Sequence, residues 1–300
     1  MYVKRLTTST AFFLLLYFCI PGSVPAQGSP SGRSGKQAAA PTYSIAIVPF
    51  YAPDKIWALY TPLITYLNKS TSRKWELKLY HTQDSLIDAF CRGEVSIVLF
   101  GPVPLGRVYK KCGAEPLLVA LSGDGKPNYR SVIVTTDPSV RSIKDFQGKP
   151  FGVFKGSTVA HIVPVKMLRD EGLFGADIKP VFYTGQDSIV SALIKREISG
   201  AGIKEALFVR FKDAPLRELK TSGPLPNFAF IASLGLNPGV KKEFIAALSR
   251  LRPLTNKRDV ALVKDWDDEI KNGFILPYDT FFQEVMQLYS LYEEIAHEAR

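Results

Sequence analysis

Phe151-Gly152-Val153-Phe154-Lys155-Gly156-Ser157-Thr158-Val159-Ala160-His161 decides the reading of this chain. An apolar strand passes through a glycine into two hydroxyl residues that open a helix. A helix that starts this way presents unpaired backbone N–H groups and the positive end of its dipole to whatever lies beyond the strand. That geometry suits an anion. Ser157 and Thr158 add two hydroxyl donors, and the same residues also suit a helix cap that serves only its own backbone. Gly156 permits the turn, Val159 supplies a further amide, and His161 sits one turn in, facing either the anion or the helix surface. The spacing is not that of a Walker loop, because no Gly-Lys-Ser/Thr follows the glycine.

Outward from this stretch, short β-branched runs alternate with amphipathic segments, the grammar of parallel strands joined by crossover helices in an α/β fold. Strands are expected at 43–48, 75–80, 95–99, 116–121 and 129–135, then at 150–154, 178–183, 199–203 and 227–234. Helices are expected from Asp54, read as an N-cap after Pro53, to Lys69; over Thr82–Cys91; and from Pro104 to a cap at Gly113. Further helices are expected at 158–171, 186–196, 238–251 and 279–298, the last too aromatic to stand free of a lobe. The second half repeats the strand–turn–helix pattern of the first, which predicts two lobes: 43–133 with 228–300, and 134–227. Two extended crossings would then act as a hinge about a cleft.

In open sheets ligands gather beyond the carboxyl ends of parallel strands. Gly101 and Tyr51 follow two such ends, and Tyr129 opens a presumed hinge strand. Tyr51 either hydrogen-bonds a ligand or packs on the neighbouring helix. Asp187, after Thr184-Gly185-Gln186, either complements a helix N-terminus or faces a ligand.

Residues 1–26 read as an export signal: Lys4 and Arg5, an apolar run from Ala11 to Ile20, and a Val24-Pro25-Ala26 cleavage site. A lipid anchor at Cys19 is not expected, because Tyr17 and Phe18 are bulky beside it. Residues 27–42 (QGSPSGRSGKQAAAPT) carry no large apolar side chain and read as a flexible tether. The mature protein is expected in the periplasm, where Cys91 and Cys112 are either bridged or two buried thiols. The net charge of +10 is spread among acids with no basic block, which favours a solvated basic surface over nucleic-acid binding. The three histidines are far apart, without acidic partners at ligand spacing, so neither metal nor cofactor is expected. No nucleophile, base and orienting acid assemble an enzyme site.

Several stretches carry a family resemblance: Phe100-Gly101-Pro102, Tyr129-Arg130-Ser131-Val132, Ser142-Ile143-Lys144-Asp145-Phe146-Gln147-Gly148-Lys149, Gly156-Ser157-Thr158 with His161 and Pro164, and Tyr183-Thr184-Gly185. From Tyr43 to about Tyr278 the chain resembles the phosphate/phosphite/phosphonate-binding periplasmic proteins of ABC transporters. The resemblance implies a type II periplasmic-binding fold of two Rossmann-like lobes joined by two hinge strands. It implies that Ser157, Thr158 and the amides near Val159 hold a phosphorus oxyanion under a first-lobe tyrosine, with Tyr51 and Tyr129 near the family's positions. The chain departs from the family where Val159 replaces a third hydroxyl, Leu105 a tyrosine and Gln186 a histidine, and where Arg196–Gly202 lacks an aspartate. The expected partners are a small oxyanion and an ABC permease, or alternatively a membrane histidine kinase in a sensing role, with the protein a monomer.

Overall fold

The computed structural model describes residues 41–298; the expected leader, Cys19 and nearly all of the tether lie outside them. The chain opens with β1 (Thr42–Ile47), α1 (Pro53–Ser70), β2 (Lys74–Lys78), α2 (Gln83–Cys91), β3 (Ile97–Phe100), α3 (Pro102–Cys112) and β4 (Glu115–Ala120). It crosses through β5 (Asn128–Tyr129) into β6 (Ser131–Thr135), β7 (Pro150–Val153), a π-helical turn at Thr158–Ile162 and α4 (Val163–Arg169). The second lobe continues with β8 (Lys179–Phe182), α5 (Gln186–Ile194), β9 (Gly200–Lys204), α6 (Glu205–Arg210) and β10 (Arg217–Thr221). The chain returns through β11 (Leu225–Pro226) to β12 (Ala229–Ala232), α7 (Pro238–Ser249), α8 (Lys257–Val263), β13 (Phe274–Ile275) and α9 (Phe281–Glu298).

The first sheet has the order β13-β4-β12-β3-β1-β2 and the second β10-β6-β9-β7-β8, while β5 and β11 form a separate two-stranded ribbon. Within the lobes β1 pairs parallel with β2 and β3, and β7 with β8 and β9, as the alternating pattern predicts. The antiparallel pairings are β12 with β3 and β4, β6 with β9 and β10, and the short β13 with β4. Of these, β12 and β6 are each the first strand after a crossing. A strand entering from the hinge starts at the cleft edge, where the parallel strands end, and must run against them.

The expected strand 129–135 is in fact two. Tyr129 pairs with Leu225 in the ribbon and Ser131 with Lys204 in the second sheet, so the ladder changes partner at Arg130. The crossings therefore lie at Asn128–Tyr129 and Leu225–Pro226, and all of β6 belongs to the second sheet, including residues 131–133. Helix α1 begins at Pro53 with Ala52 as its cap, so Asp54 lies in the first turn and is not the cap. Proline fits that first position because its missing N–H would be unbonded there. Helix α3 likewise starts at Pro102, two residues before Pro104.

Each lobe has its own apolar centre. Phe230 meets Phe244 edge-on at 5.2 Å in the first, and Phe146 meets Phe151 at 5.2 Å in the second. Helix α9 packs on α3 where Gly106 leaves room, since a Cβ there would stand 2.6 Å from Tyr289 Cβ. It also reaches the second lobe, joining Ile295 to Val103 of α3 and Ile162 of the π-turn. Cys91 and Cys112, the last residues of α2 and α3, are joined in a disulfide with Cα atoms 5.6 Å apart. Among the described residues no helix is long and apolar enough to cross a membrane.

Candidate functional site

The turn after β7 is shaped by its own hydrogen bonds. Gly156 adopts φ +76°, a left-handed conformation that costs glycine little. Its amide donates to His161 Nδ1 at 3.1 Å, and Ser157 Oγ accepts from Ala160 N at 3.2 Å. Thr158 Oγ1 accepts from the amide of Val103 at 3.1 Å, so the second lobe caps the first turn of α3 in the first lobe. Ser157 and Thr158 are 8% and 4% exposed. Both hydroxyls keep a hydrogen to donate. The amides of Thr158 and Val159 donate to no acceptor among the described residues. Behind the turn, Ser131 Oγ donates to the Val159 carbonyl at 2.7 Å and the bare face of Gly202 receives Pro164.

The imidazole of His161 accepts at Nδ1 and is therefore neutral in this arrangement. Burial, helped by the Lys155 charge, holds its pKa down to about 4. Tyr129, 4% exposed, turns its hydroxyl toward Thr158 without completing a well-formed hydrogen bond to any described residue. Burial, with Glu269 a second cause, pushes its pKa upward, so it remains a neutral donor.

Beside Tyr129 the two lobes enclose a cavity of about 650 Å³. Tyr51, Tyr129, Gln186, Lys204, Arg210 and Glu269 stand on its wall. Gly101, Gly156, Ser157, Thr158, Val159, His161 and Asp187 do not line it. Of the residues singled out in the sequence, Tyr51 and Tyr129 stand on the cavity wall and residues 156–161 form the adjoining turn that the Tyr129 hydroxyl faces, while Gly101 and Asp187 belong to neither group. Tyr51 faces Arg210, and burial followed by the charge of Asp267 raises its pKa. Gly101 caps α3 and lies against the Phe228 ring, 3.3 Å from where a Cβ would stand. Asp187, in the first turn of α5, pairs with Lys55 of α1 across the cleft.

Lys204, Glu269 and Arg210 were not legible as site residues. Lys204 ends β9 at the cleft edge, and that position after Ala201-Gly202-Ile203 was a usable signal. Glu269 lies in a local run of acids with Asp265, Asp267 and Asp268, where no spacing along the chain marks one of them as a cleft residue. In the fold Lys204 pairs with Glu269, and their side chains are only 9% and 11% exposed. The Lys204 amide donates to Gln186 Oε1 at 2.7 Å.

Next to this pair Asp267 accepts from Tyr60 Oη at 3.2 Å and from the Glu269 amide at 3.0 Å. Burial, then the charge of Glu269, lifts its pKa from 3.8 to about 6. The folded protein keeps that proton up to about pH 6 while an unfolded aspartate releases it near 4, so this group's contribution is present in acid and lost as pH rises between those values. His161 has the opposite slope, losing stability as pH falls from 6.5 to about 4. The difference between variant and wild type isolates Asp267. Asp267→Asn is expected to match wild type near pH 4 and to be more stable at pH 7.5 by on the order of 1–3 kcal/mol, measured by urea unfolding at both pH values.

No group of three or more His, Cys, Asp or Glu among the described residues is placed to hold a metal. Residues 45–275 match the family described as ABC transporter, phosphonate, periplasmic substrate-binding protein. Among solved structures, a binding-protein component of an ABC phosphonate transporter from Pseudomonas aeruginosa is 14% identical over 87% of this chain and 89% of its own, with a TM-score of 0.74. PhnD1 from Prochlorococcus marinus, in complex with methylphosphonate, is 12% identical over 85% and 98%, with a TM-score of 0.71. The alkanesulfonate-binding protein SsuA of Xanthomonas axonopodis pv. citri, bound to MOPS, is 14% identical over 88% and 96%, with a TM-score of 0.61. The two-lobed arrangement is therefore the type II periplasmic-binding fold that the sequence resemblance implies.

Proposed function

Because the chain belongs to the periplasmic substrate-binding proteins of phosphonate ABC transporters, we propose that it captures a small phosphorus oxyanion and delivers it to a membrane permease. The class covers phosphonate, phosphite and phosphate. Export would use the leader at 1–26, cleaved near Ala26, which leaves 27–42 ahead of a monomeric two-lobed body that has no lipid anchor. The lobes turn about Asn128–Tyr129 and Leu225–Pro226, the points where the chain crosses between sheets.

The observation that carries this reading is the pair of unbonded amides at Thr158 and Val159, with two hydroxyls beside them and the partnerless hydroxyl of Tyr129 opposite. Buried donors without acceptors are costly, and an oxyanion supplies acceptors to several at once. The helix dipole adds a favourable field at the same place. When the lobes part, the Thr158 hydroxyl is released from the Val103 amide, which opens the turn to solvent. Closure on the ligand restores a dry, low-dielectric site where charge-assisted hydrogen bonds are strong.

Isothermal titration against methylphosphonate, phosphite, phosphate and sulfate tests the proposal. At least one phosphorus oxyanion is expected to bind at micromolar affinity or better. Ser157→Ala combined with Thr158→Ala is expected to weaken it about tenfold or more, which is about 1.4 kcal/mol. Unchanged affinity in the double variant would move the anion site away from this turn.

A further inference from the structure

Lys204 is 7% exposed, yet it stands on the wall of the cleft cavity. Its Nζ lies 4.6 Å from the Tyr129 ring centroid and 5.1 Å from that of Phe228. Its charge is met by Glu269, which belongs to the other lobe. Two further ion pairs cross the cleft, Lys55 with Asp187 and Arg210 with Asp268, but their side chains are roughly two-fifths exposed. Exposed pairs of that kind contribute little, so they do not explain why a cation is buried in the cavity wall.

A buried lysine needs a compensating anion but not a particular one. Glu269 supplies it when the cavity holds no ligand, and the oxyanion of a ligand supplies the same compensation. Glu269 also sits beside Asp267 and Asp268, two like charges that make its burial costlier. Lys126 and Lys271 line the same cavity and, though paired with Asp124 and Asp268, are cations toward which a displaced carboxylate can turn. The ring faces of Tyr129 and Phe228 stabilise the ammonium with either partner. Lys204 shares Tyr129 with the turn at 157–159, so an anion reaching from that turn along the Tyr129 ring meets this charge next.

We propose that Lys204 is an anion-binding residue of the cleft and that Glu269 is its internal placeholder, displaced when a ligand's oxyanion enters. This rests on the reading of the protein as an oxyanion-binding protein and extends it to a second contact point and an internal competitor. The sign of the Glu269 effect separates it from a merely structural ion pair. Removing a competitor tightens binding, whereas breaking a clasp weakens it.

The experiment titrates methylphosphonate, inorganic phosphate, sulfate and ethanesulfonate into wild type, Lys204→Met, Glu269→Gln and the double variant of both. Lys204→Met is expected to weaken the anions that bind by about tenfold or more, and Glu269→Gln to tighten them about threefold. The double variant leaves no lone buried charge, so it folds even where Lys204→Met does not, and it is expected to bind as weakly as Lys204→Met. Lys241→Met, whose lysine pairs with Glu115 on the surface of the first lobe, is the control and keeps wild-type affinity. The inference is overturned if no anion binds, if Lys204→Met and the double variant leave every affinity unchanged, or if Glu269→Gln weakens binding as Lys204→Met does. If sulfate or ethanesulfonate binding depends on Lys204 while methylphosphonate and phosphate do not bind, the exchange stands and the proposed ligand class falls.

Discussion

Cys91→Ala combined with Cys112→Ala lowers the stability of the protein by about 3 kcal/mol, the loss expected when a cross-link closing a loop of this size is removed from the unfolded chain. The two cysteines are 21 residues apart and end two helices of the first lobe. In the oxidised unfolded chain the segment containing β3 and α3 is a closed loop with few conformations, and opening it makes unfolding more favourable. The folded state changes less, because β3 is held on both sides by β1 and β12 without help from the sulfurs. Guanidinium unfolding checks this: the midpoint falls for the double alanine variant, and wild type under strong reductant falls to the same value. Ligand affinity is expected to stay within about twofold, because the Val103 amide that meets Thr158 lies at the opposite end of α3 from Cys112. A midpoint unchanged from wild type would mean that the bridge does not form in the exported protein.

Gly202→Ala is expected to destabilise the second lobe by about 3 kcal/mol, at the upper end of the usual range for overpacking, and also to weaken oxyanion binding. A Cβ at Gly202 would stand 2.0 Å from Pro164 Cγ and 2.8 Å from the Val159 carbonyl oxygen. Neither neighbour yields easily. The proline ring is rigid, and the carbonyl is pinned by the Ser131 hydroxyl. Relief must come from moving the π-helical turn outward, which drags the Thr158 and Val159 amides with it. Misplacing donors by a fraction of an ångström weakens several hydrogen bonds at once, so affinity is expected to fall about tenfold or more. Gly235→Ala is the matched control, because a Cβ there meets nothing within 4 Å. Thermal unfolding and titration of both variants read the two effects. Wild-type affinity in a folded Gly202→Ala protein would detach the turn from ligand binding.

The two variants also mark where local and long-range information part. The strand–glycine–hydroxyl–helix run at 151–161 was legible because strand periodicity, a left-handed glycine and helix-opening hydroxyls are properties of neighbouring residues. So was the two-lobe organisation, because the same grammar recurs along the chain. The π-helical form of the turn was not legible, since it follows from the Ile162 amide reaching the Ser157 carbonyl while Ser131 and Gly202 press from behind. The small elements α6, β10, β11, α8 and β13 also escaped notice. Each is seven residues or fewer, too short for hydrophobic periodicity to register.

By itself the sequence determined an α/β chain of two similar lobes, with a glycine turn and two hydroxyl residues opening a helix after β7, because these depend on residue spacing along one strand or helix. Only the tertiary structure decided that β6 and β12 run against their neighbours, that Thr158 caps a helix of the other lobe, and that Lys204 meets Glu269 in the cavity wall. Those contacts join residues 55 to 65 positions apart or strands from different passes through the hinge. Burial and charge pairing across such distances are set by how the lobes close, and no local pattern encodes that.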